Sequence, residues 1–236
     1  MRKLDRLLIK SRAGIVRLDW TRREGWLAEQ YGSLLRLPPA PQEAQIEQRV
    51  TAADATAGHT KASHLYGDTT RRPNQVRSNR MLGRFFADLV RRRQPETVIE
   101  FGSAFGVSGM YFTAALEAVG RGHLYSFEMN QEWAKIAGDN MAAIGDRYTL
   151  TVGTFEDDAD LVEDVGLAFI DAVHTREWVM PQFDLVIKHC RPGALVLFDD
   201  IDFSAEMREV WTEVATDPRV AGSVAVSDHV GVVQLH

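Results

Sequence analysis

The stretch TVIEFGSAFGVS, residues 97–108, decides the fold of this chain. Its first part is rich in β-branched and aromatic residues around Glu100, which predicts a buried strand. Gly102 then allows a turn with positive φ, and Gly106 leaves space for a ligand against the backbone where a helix begins. A strand, a glycine turn and a helix start in this order predict a cradle for a cofactor.

The spacing of the two glycines restricts the kind of cofactor. Gly102 and Gly106 do not have the GxGxxG spacing that is typical of dinucleotide-binding turns. A pyrophosphate group requires a closer approach to the backbone than this turn offers. We therefore expect a cofactor without phosphates.

The next two strands also end in residues suited to such a cofactor. Glu128 ends HLYSFE, where a carboxylate can accept two hydrogen bonds from a ribose diol, although a strand-end acid can also be a solvated surface group. The segment GTFED places Thr154, Phe155 and Glu156 at the end of the following strand. Phe155 can cover an adenine ring or serve as a core residue at a helix start, and the sequence does not decide between these roles.

Strands and helices alternate regularly from residue 97 onwards. A helix capped by Asn74 precedes this region and ends in Arg91, Arg92 and Arg93, which we interpret as helix C-terminal charges. Repeated βα units predict a parallel sheet with helices on both faces. The tail VAGSVAVSDHVGVVQLH predicts an antiparallel hairpin turning near Ser227 and Asp228. The predicted strands cover residues 97–101, 123–128, 148–153, 167–172 and 194–199, followed by the hairpin.

The N-terminal third of the chain follows a different pattern. Apolar residues spaced three to four apart predict one or two amphipathic helices within residues 1–37. Residues 42–72 contain few large apolar side chains and are expected to bury little surface by themselves, as in a lid or a partner-stabilised arm. Within them Lys61, His64 and Tyr66 can close over a polar ligand, and a solvated loop is the alternative.

Composition excludes several classes of partner. The chain has 236 residues and a formal net charge of -6, which gives no electrostatic basis for binding nucleic acid or an anionic membrane. No segment reaches the ~18 apolar residues that a membrane-spanning helix requires. The single cysteine, Cys190, suits a reducing cytoplasm and is interpreted as a small buried residue. We expect a cytoplasmic protein with a small-molecule substrate.

Three aspartates follow the fourth and fifth predicted strands. Asp171 lies in FIDAVHT, and Asp199 and Asp200 lie in LFDDI. Because neighbouring parallel strands end at the same edge of a sheet, these carboxylates should converge, and a hard divalent cation such as Mg²⁺ would offset their repulsion. Separate solvated acids are the alternative. His174 has a side chain able to act as a base, and a structural role is the alternative.

These motifs together resemble the class I S-adenosylmethionine-dependent methyltransferases. EFGSAFGVSG, the strand-end Glu128, FIDAVHT and LFDDI carry the resemblance, which covers roughly residues 74–236. Within that fold the chain is most similar to metal-dependent O-methyltransferases of the macrocin-type and cephalosporin-hydroxylase-like groups. The resemblance implies a doubly wound, seven-stranded Rossmann-like α/β sheet with an antiparallel C-terminal hairpin. The N-terminal helical arm, residues 1–73, precedes this region and is predicted from the spacing of its apolar residues alone.

The resemblance also implies roles for individual residues. The turn from Gly102 to Gly106 would hold the methionine part of the cofactor, and Glu128 would hold its ribose. His174 and Asp171 are the candidate catalytic residues, and Mg²⁺ would be bound by Asp171, Asp199 and Asp200. The candidate acceptor contacts are Lys61, His64, Tyr66 and Arg176. The candidate cofactor contacts are Glu100, Gly102, Ser103, Ala104, Gly106, Ser108, Glu128, Thr154, Phe155 and Asp171.

The expected activity is transfer of a methyl group to a hydroxyl of a small molecule, such as a sugar diol or a catechol, by a homodimer active in natural-product biosynthesis. Three alternatives remain at this point: a hydroxylase-associated member of the same fold, an N-methylating member, and a non-catalytic partner subunit. Labelled methyl transfer separates the first of these from the expected activity. The intact acidic cluster argues against the third.

Overall fold

A computed structural model describes residues 6–11, 14–30, 36–56, 71–159 and 162–236. The chain divides into two compact units. One, here called the inserted unit, comprises Pro38–Leu161, and the other, here called the flanking unit, comprises Met1–Leu37 and Val162–His236. Among the described residues, no helix is both long enough and apolar enough to cross a membrane.

The described residues contain strands and helices, which alternate between residues 97 and 226. The strands are β1 (Arg6–Ser11), β2 (Gly14–Arg22), β3 (Thr97–Phe101), β4 (His123–Glu128), β5 (Tyr148–Val152), β6 (Val165–Ile170), β7 (Cys190–Phe198), β8 (Val220–Val226) and β9 (Val230–Leu235). The helices are α1 (Gly25–Glu29), α2 (Glu43–Thr56), α3 (Pro73–Val76), α4 (Arg80–Arg93), α5 (Val107–Val119), α6 (Gln131–Ala142), α7 (Phe155–Asp158), α8 (Arg176–Ile187) and α9 (Ala205–Thr216).

The inserted unit is built on the parallel strands β3, β4 and β5. β3 pairs with β4 from Thr97 opposite His123, and β4 pairs with β5 from Leu124 opposite Tyr148. All five residues of β3 are buried, because helices cover both faces of a parallel sheet and leave no polar side to the strand. The predicted bounds of β3 and β4 are confirmed, and β5 ends one residue earlier than predicted.

Helix α4 begins later than the sequence predicts. Asn79, rather than Asn74, caps it by accepting a hydrogen bond from the backbone N–H of Leu82 at 3.1 Å. Residues 73–76 form the separate short helix α3, which starts at Pro73. The basic last turn of α4 is confirmed, and two of its three arginines, Arg91 and Arg92, also bind the buried carboxylate of Asp88.

Helix α2 is better anchored than its composition suggests. Ile46 and Val50 are fully buried, although residues 42–72 are expected to bury little. Glu43 accepts two hydrogen bonds from Arg84 of α4, at 2.5 and 2.6 Å. Glu47 accepts two from Arg77 and one from Tyr111. Paired charges thus fix this segment where apolar area alone is small.

The flanking unit has the strand order β1-β2-β8-β9-β7-β6. The prediction of amphipathic helices is wrong for residues 6–11 and 14–22, which form the antiparallel strands β1 and β2. β2 pairs with β8, so that Leu18 and Trp20 are buried and the intervening Asp19 is not, as expected for a strand with one buried face. The pairing of β2 with β8 therefore determines the structure of this segment, although the spacing of its apolar residues also fits a helix.

The C-terminal hairpin is present as predicted. Ser227 and Asp228 have φ values of 55° and 60°, as a two-residue turn between twisted strands requires. β8 and β9 pair antiparallel, and β9 also pairs antiparallel with β7. β6 and β7 are parallel and begin earlier than predicted, at Val165 and Cys190. The end of β7 and the start of β9 therefore lie side by side.

Candidate active site

The glycine turn is held against the end of β4. The backbone N–H groups of Gly102 and Ser103 both donate to the carbonyl of Phe127, at 2.9 and 3.1 Å. Positive φ values occur at Gly102, at Ala104 and at Gly106, which is the N-cap of α5. A Cβ on Gly106 would lie 2.9 Å from the Cα of Ala137. Helix α6 thus fills the space on the Cβ side of this glycine, and contact of its backbone with a cofactor stays a prediction.

Glu128 links this turn to the start of α6. One carboxylate oxygen accepts a hydrogen bond from the N–H of Ala104 at 2.8 Å, and the other accepts one from the N–H of Asn130 at 2.7 Å. The side chain is 8% exposed, and burial raises its pKa although the backbone donors oppose this shift. The structure therefore brings Glu128 to the glycine turn. Its contact with a cofactor ribose stays a prediction.

Glu100 lies beneath the turn and is completely buried. It accepts a hydrogen bond from the hydroxyl of Ser126 at 2.6 Å. Burial raises the pKa of Glu100 to about 7, while hydrogen bonds from Ser108 and Ser126 act in the opposite direction. Ser108 is also buried. These two predicted cofactor contacts are parts of a buried polar network behind the turn.

We expect Glu100→Gln to change how stability depends on pH. The folded protein holds a proton on Glu100 up to about pH 7, whereas the ordinary pKa is 4.5. The stability that the protonated Glu100 carboxyl contributes to the folded protein is therefore fully present below pH 4.5, and it is lost as the pH rises through 7. Between pH 5 and pH 8 the wild-type free energy of unfolding should fall by about 2 to 3 kcal/mol more than that of the variant.

Urea unfolding of both proteins across this pH range measures the difference, because all other titrating groups are shared. Glu132→Gln is the matched control, since Glu132 is exposed in the first turn of α6. Parallel pH profiles for wild type and Glu100→Gln would show that Glu100 ionises normally in the folded protein.

Phe155 has the core role that the sequence left open. Its side chain is 1% exposed and packs edge-on against Phe101 and Phe127, with ring centroids 4.9 and 5.5 Å away. Thr154 precedes it, and its hydroxyl donates to the carboxylate of Asp157 at 2.8 Å. Contact of Thr154 or Phe155 with adenine stays a prediction.

The aspartates of the flanking unit converge as predicted. Asp171 follows β6, and Asp199 and Asp200 follow β7, where the N–H of Asp199 donates to the carbonyl of Ile170 at 3.1 Å. Asp171 and Asp199 share a side-chain hydrogen bond. The Nε2 atom of His174 lies 3.4 Å from Asp200 and 3.8 Å from Asp171. All four predicted residues therefore belong to one cluster.

A second histidine, His229, completes this cluster and was missed in the sequence. Its Nε2 atom lies 3.2 Å from Asp200 and 3.6 Å from Asp199, and its Nδ1 atom lies 3.2 Å from Asp202. It sits in the β8–β9 turn beside the end of β7, and its carbonyl accepts a hydrogen bond from the N–H of Ile201. Asp199, Asp200 and His229 each place one possible ligand atom within 4.8 Å of the other two. This spacing allows the three side chains to bind one metal ion.

The charges of this cluster are mutually dependent. Burial raises the pKa of Asp199 to about 6, with His229 opposing and Asp200 adding to the shift. Burial alone would lower the pKa of His229, but Asp199, Asp200 and Asp202 outweigh it and raise the value. The pKa of His174 is lowered by burial, against the attraction of Asp200. The site thus concentrates acidic and imidazole groups that can bind a cation or move a proton.

Of the four candidate acceptor contacts, Arg176 is within the described residues. Arg176, predicted to contact the acceptor, is at the start of α8 and forms an ion pair with Glu213 of α9. Its contact with the acceptor stays a prediction. Lys61, His64 and Tyr66 lie outside the described residues.

Comparison with known proteins identifies the fold. Residues 99–201 match a family model described as a methyltransferase domain.

Several solved structures have a similar fold. Cofactor-bound Rv0187 from MTB is 17% identical to this chain, with a TM-score of 0.64, and the alignment covers 84% of this chain and 98% of Rv0187. An O-methyltransferase from Bacillus cereus in complex with SAH is 20% identical, with a TM-score of 0.62 and coverages of 88% and 96%. TomG from Streptomyces achromogenes, an O-methyltransferase involved in tomaymycin synthesis and bound to SAM, is 17% identical, with a TM-score of 0.60 and coverages of 79% and 89%. The predicted doubly wound α/β class and the resemblance to class I methyltransferases are confirmed.

Proposed function

We propose that this protein is an S-adenosylmethionine-dependent O-methyltransferase that uses a divalent cation to hold a small-molecule acceptor, since residues 99–201 match the model of a methyltransferase domain. The observation that carries the proposal is the cluster of Asp171, Asp199 and Asp200 at the ends of β6 and β7 in a chain of this fold. The acceptor class that suits it has two neighbouring oxygens, as in a sugar diol or a catechol.

In this proposal the inserted unit binds the methyl donor. The backbone from Gly102 to Gly106 contacts the methionine part, and Glu128 accepts hydrogen bonds from the ribose diol. Support comes from the hydrogen bonds that Glu128 accepts from Ala104 in the turn and from Asn130 before α6, which fix the carboxylate before the cofactor arrives. A preorganised carboxylate loses little conformational freedom when it binds a diol.

In the same proposal the flanking unit binds the acceptor. The donor set fits a divalent cation, because Asp199 and Asp200 lie close enough together to share one, and within the described residues Asp199 Oδ1 is buried without a hydrogen-bond partner. A bound cation would orient the acceptor oxygens and lower the pKa of the reacting hydroxyl. His174 would take the hydroxyl proton while the oxygen attacks the methyl carbon and the sulfur leaves with the bonding electron pair, which yields the methyl ether and S-adenosylhomocysteine.

Incubation with methyl-labelled S-adenosylmethionine and a panel of diols, catechols and amines tests this function. The expected result is a labelled methyl ether whose formation stops with EDTA and resumes when a divalent cation is restored. Labelled amines, or label transfer unaffected by EDTA, would contradict it. Calorimetry with S-adenosylhomocysteine measures cofactor binding separately.

Phe203 offers a platform for the acceptor. Among the described residues, two large apolar side chains, Phe203 and Val152, are strongly exposed, at 67% and 57%. The ring of Phe203 lies 5.6 Å from that of His174, and its N–H donates to the carbonyl of Asp200. An exposed aromatic ring beside the acidic cluster suits the apolar face of a sugar or phenol.

We therefore expect Phe203→Ala to raise the KM of the acceptor found in the panel about tenfold, with kcat little changed, since the ring contributes to binding before and during reaction alike. Initial rates at varied acceptor concentration measure this, and Val152→Ala is the matched control for loss of an exposed apolar side chain. A fall in kcat with an unchanged KM would contradict a platform role.

Several further predictions belong to this proposal. The predicted N-terminal arm would contribute Lys61, His64 and Tyr66 to acceptor binding, whereas β1 and β2, which the prediction placed in the same arm, belong to the sheet of the flanking unit. The protein would be a cytoplasmic homodimer in natural-product biosynthesis. Sizing of the purified chain by light scattering tests the dimer.

A further inference from the structure

We infer that His229 is a metal ligand, and that the cation site is consequently one for a transition-metal ion such as Mn²⁺ or Co²⁺ in preference to Mg²⁺. This inference rests on the proposed metal site in the flanking unit, but not on methyl transfer. It changes the donor set from three carboxylates to two carboxylates and an imidazole nitrogen.

The spacing of the donor atoms supports this set. A metal ion holds nitrogen and oxygen ligands at about 2.1 Å, so adjacent ligand atoms stand about 3 Å or slightly more apart. The His229 Nε2 atom is 3.2 Å from Asp200 Oδ1 and 3.6 Å from Asp199 Oδ1. These separations match ligands around one centre.

Asp199 supplies an independent observation. Its residue exposure is 8%, and Oδ1 has no hydrogen-bond partner although it is buried. A buried carboxylate oxygen without a hydrogen bond carries a large desolvation cost, which a cation would offset. This is the same oxygen that faces His229 Nε2.

Asp202 orients the imidazole. Its Oδ1 atom lies 3.2 Å from His229 Nδ1. A histidine that binds metal through one nitrogen usually donates its other N–H to a carboxylate, which fixes the tautomer and the ring orientation. With its proton on Nδ1, His229 presents the Nε2 lone pair towards Asp199 and Asp200.

The competing explanation needs no metal. A protonated His229 paired with Asp199, Asp200 and Asp202 would account for the same distances. The two explanations differ in what happens when a cation is added. A ligand nitrogen binds the ion directly, whereas a protonated imidazole repels it.

The chemistry of the donors sets the metal preference. Mg²⁺ favours oxygen ligands and keeps several waters, while imidazole nitrogen suits first-row transition metals. We expect the wild-type protein to bind Mn²⁺ and Co²⁺ at least about tenfold more tightly than Mg²⁺. His229→Gln should remove most of that preference, because the remaining ligands are oxygens.

Mn²⁺ bound to the full-length protein tests the ligand directly, since electron spin-echo modulation detects a coordinated ¹⁴N nucleus. Wild type should show ¹⁴N modulation, and His229→Gln should lose it. His236→Gln is the matched control, because His236 is exposed at the other end of β9, roughly 20 Å away along the strand. Asp202→Asn should keep the modulation but weaken Mn²⁺ binding about tenfold, as loss of an orienting partner does.

Three outcomes would overturn the inference: no Mn²⁺ binding, bound Mn²⁺ without ¹⁴N modulation, or modulation that survives His229→Gln and disappears in His174→Gln. Thermal unfolding of each variant identifies any that fails to fold. If His229→Gln does not fold, Asp202→Asn provides the test, because its side chain is half-exposed and its substitution disturbs the fold less. Binding of S-adenosylhomocysteine and labelled methyl transfer are measured separately, so failure of the metal assignment is distinguishable from failure of the proposed methyltransferase function.

Discussion

Asparagine in place of Asp199 is expected to lower methyl transfer about 1000-fold, equivalent to about 4 kcal/mol of transition-state stabilisation. Asp199 is the most deeply buried of the clustered carboxylates, and its free Oδ1 faces His229. The amide has the same shape but lacks the negative charge that binds a cation, so the acceptor oxygens would be neither oriented nor activated. Initial rates with labelled S-adenosylmethionine at saturating divalent cation measure the loss.

Asp184→Asn is the matched control for this substitution. Asp184 is an exposed aspartate of the same unit that pairs with Arg219, and surface ion pairs contribute little to stability. The control should keep the wild-type rate, and both variants should bind S-adenosylhomocysteine as wild type does. A rate for Asp199→Asn within a few-fold of wild type would show that the cluster has no part in the reaction.

The sequence was most informative where local pattern and global fold agree. The run TVIEF predicts β3 without error because a strand buried on both faces needs only apolar, β-branched residues. The same reasoning placed Glu128 correctly beside the glycine turn, since both lie at the carboxyl ends of parallel strands. Parallel topology makes the neighbourhood of such residues predictable.

His229 illustrates what the pattern could not supply. Its role depends on β9 lying antiparallel beside β7, with Phe198 opposite Gly231. The hairpin was predicted, but the strand that it joins was not. The sequence did contain a usable indication. When a strand pairs antiparallel with β7, it starts beside the end of β7, so the residue before β9 lies near the residues after β7.

The N-terminal strands show a different limit. Residues 6–22 carry apolar side chains at intervals that fit a helix, yet β2 is selected by pairing with β8 more than 200 residues further along the chain. Arg22 strengthens this pairing by donating to the carbonyls of Thr216, Asp217 and Val220. Such long-range partners are not visible in a local window.

Gly106 and Phe155 show that packing within the protein can account for the residue type found at a motif position. The position of Gly106 is explained by contact with Ala137, and that of Phe155 by Phe101 and Phe127. Small size and aromaticity are equally typical of ligand contacts and of close packing. Only the structure distinguishes these uses.

Glu128→Gln is expected to weaken binding of S-adenosylhomocysteine about 100-fold, which corresponds to about 2.7 kcal/mol. Both carboxylate oxygens of Glu128 accept backbone N–H groups, from Ala104 and Asn130. An amide can satisfy only one of them, because its NH₂ group would face the second donor. The variant therefore loses the charge offered to the ribose diol and also loosens the turn that contacts the methionine part.

Isothermal calorimetry with S-adenosylhomocysteine measures this effect without requiring an acceptor. Glu132→Gln is the matched control, since Glu132 is exposed four residues further along the chain, in the first turn of α6. Thermal unfolding separates loss of affinity from loss of fold, because the turn itself would still be closed by the two hydrogen bonds from Gly102 and Ser103 to Phe127. A folded Glu128→Gln protein with wild-type affinity would show that the cofactor ribose is held by other residues, whereas a loss confined to Glu128→Gln would establish this carboxylate as a cofactor contact.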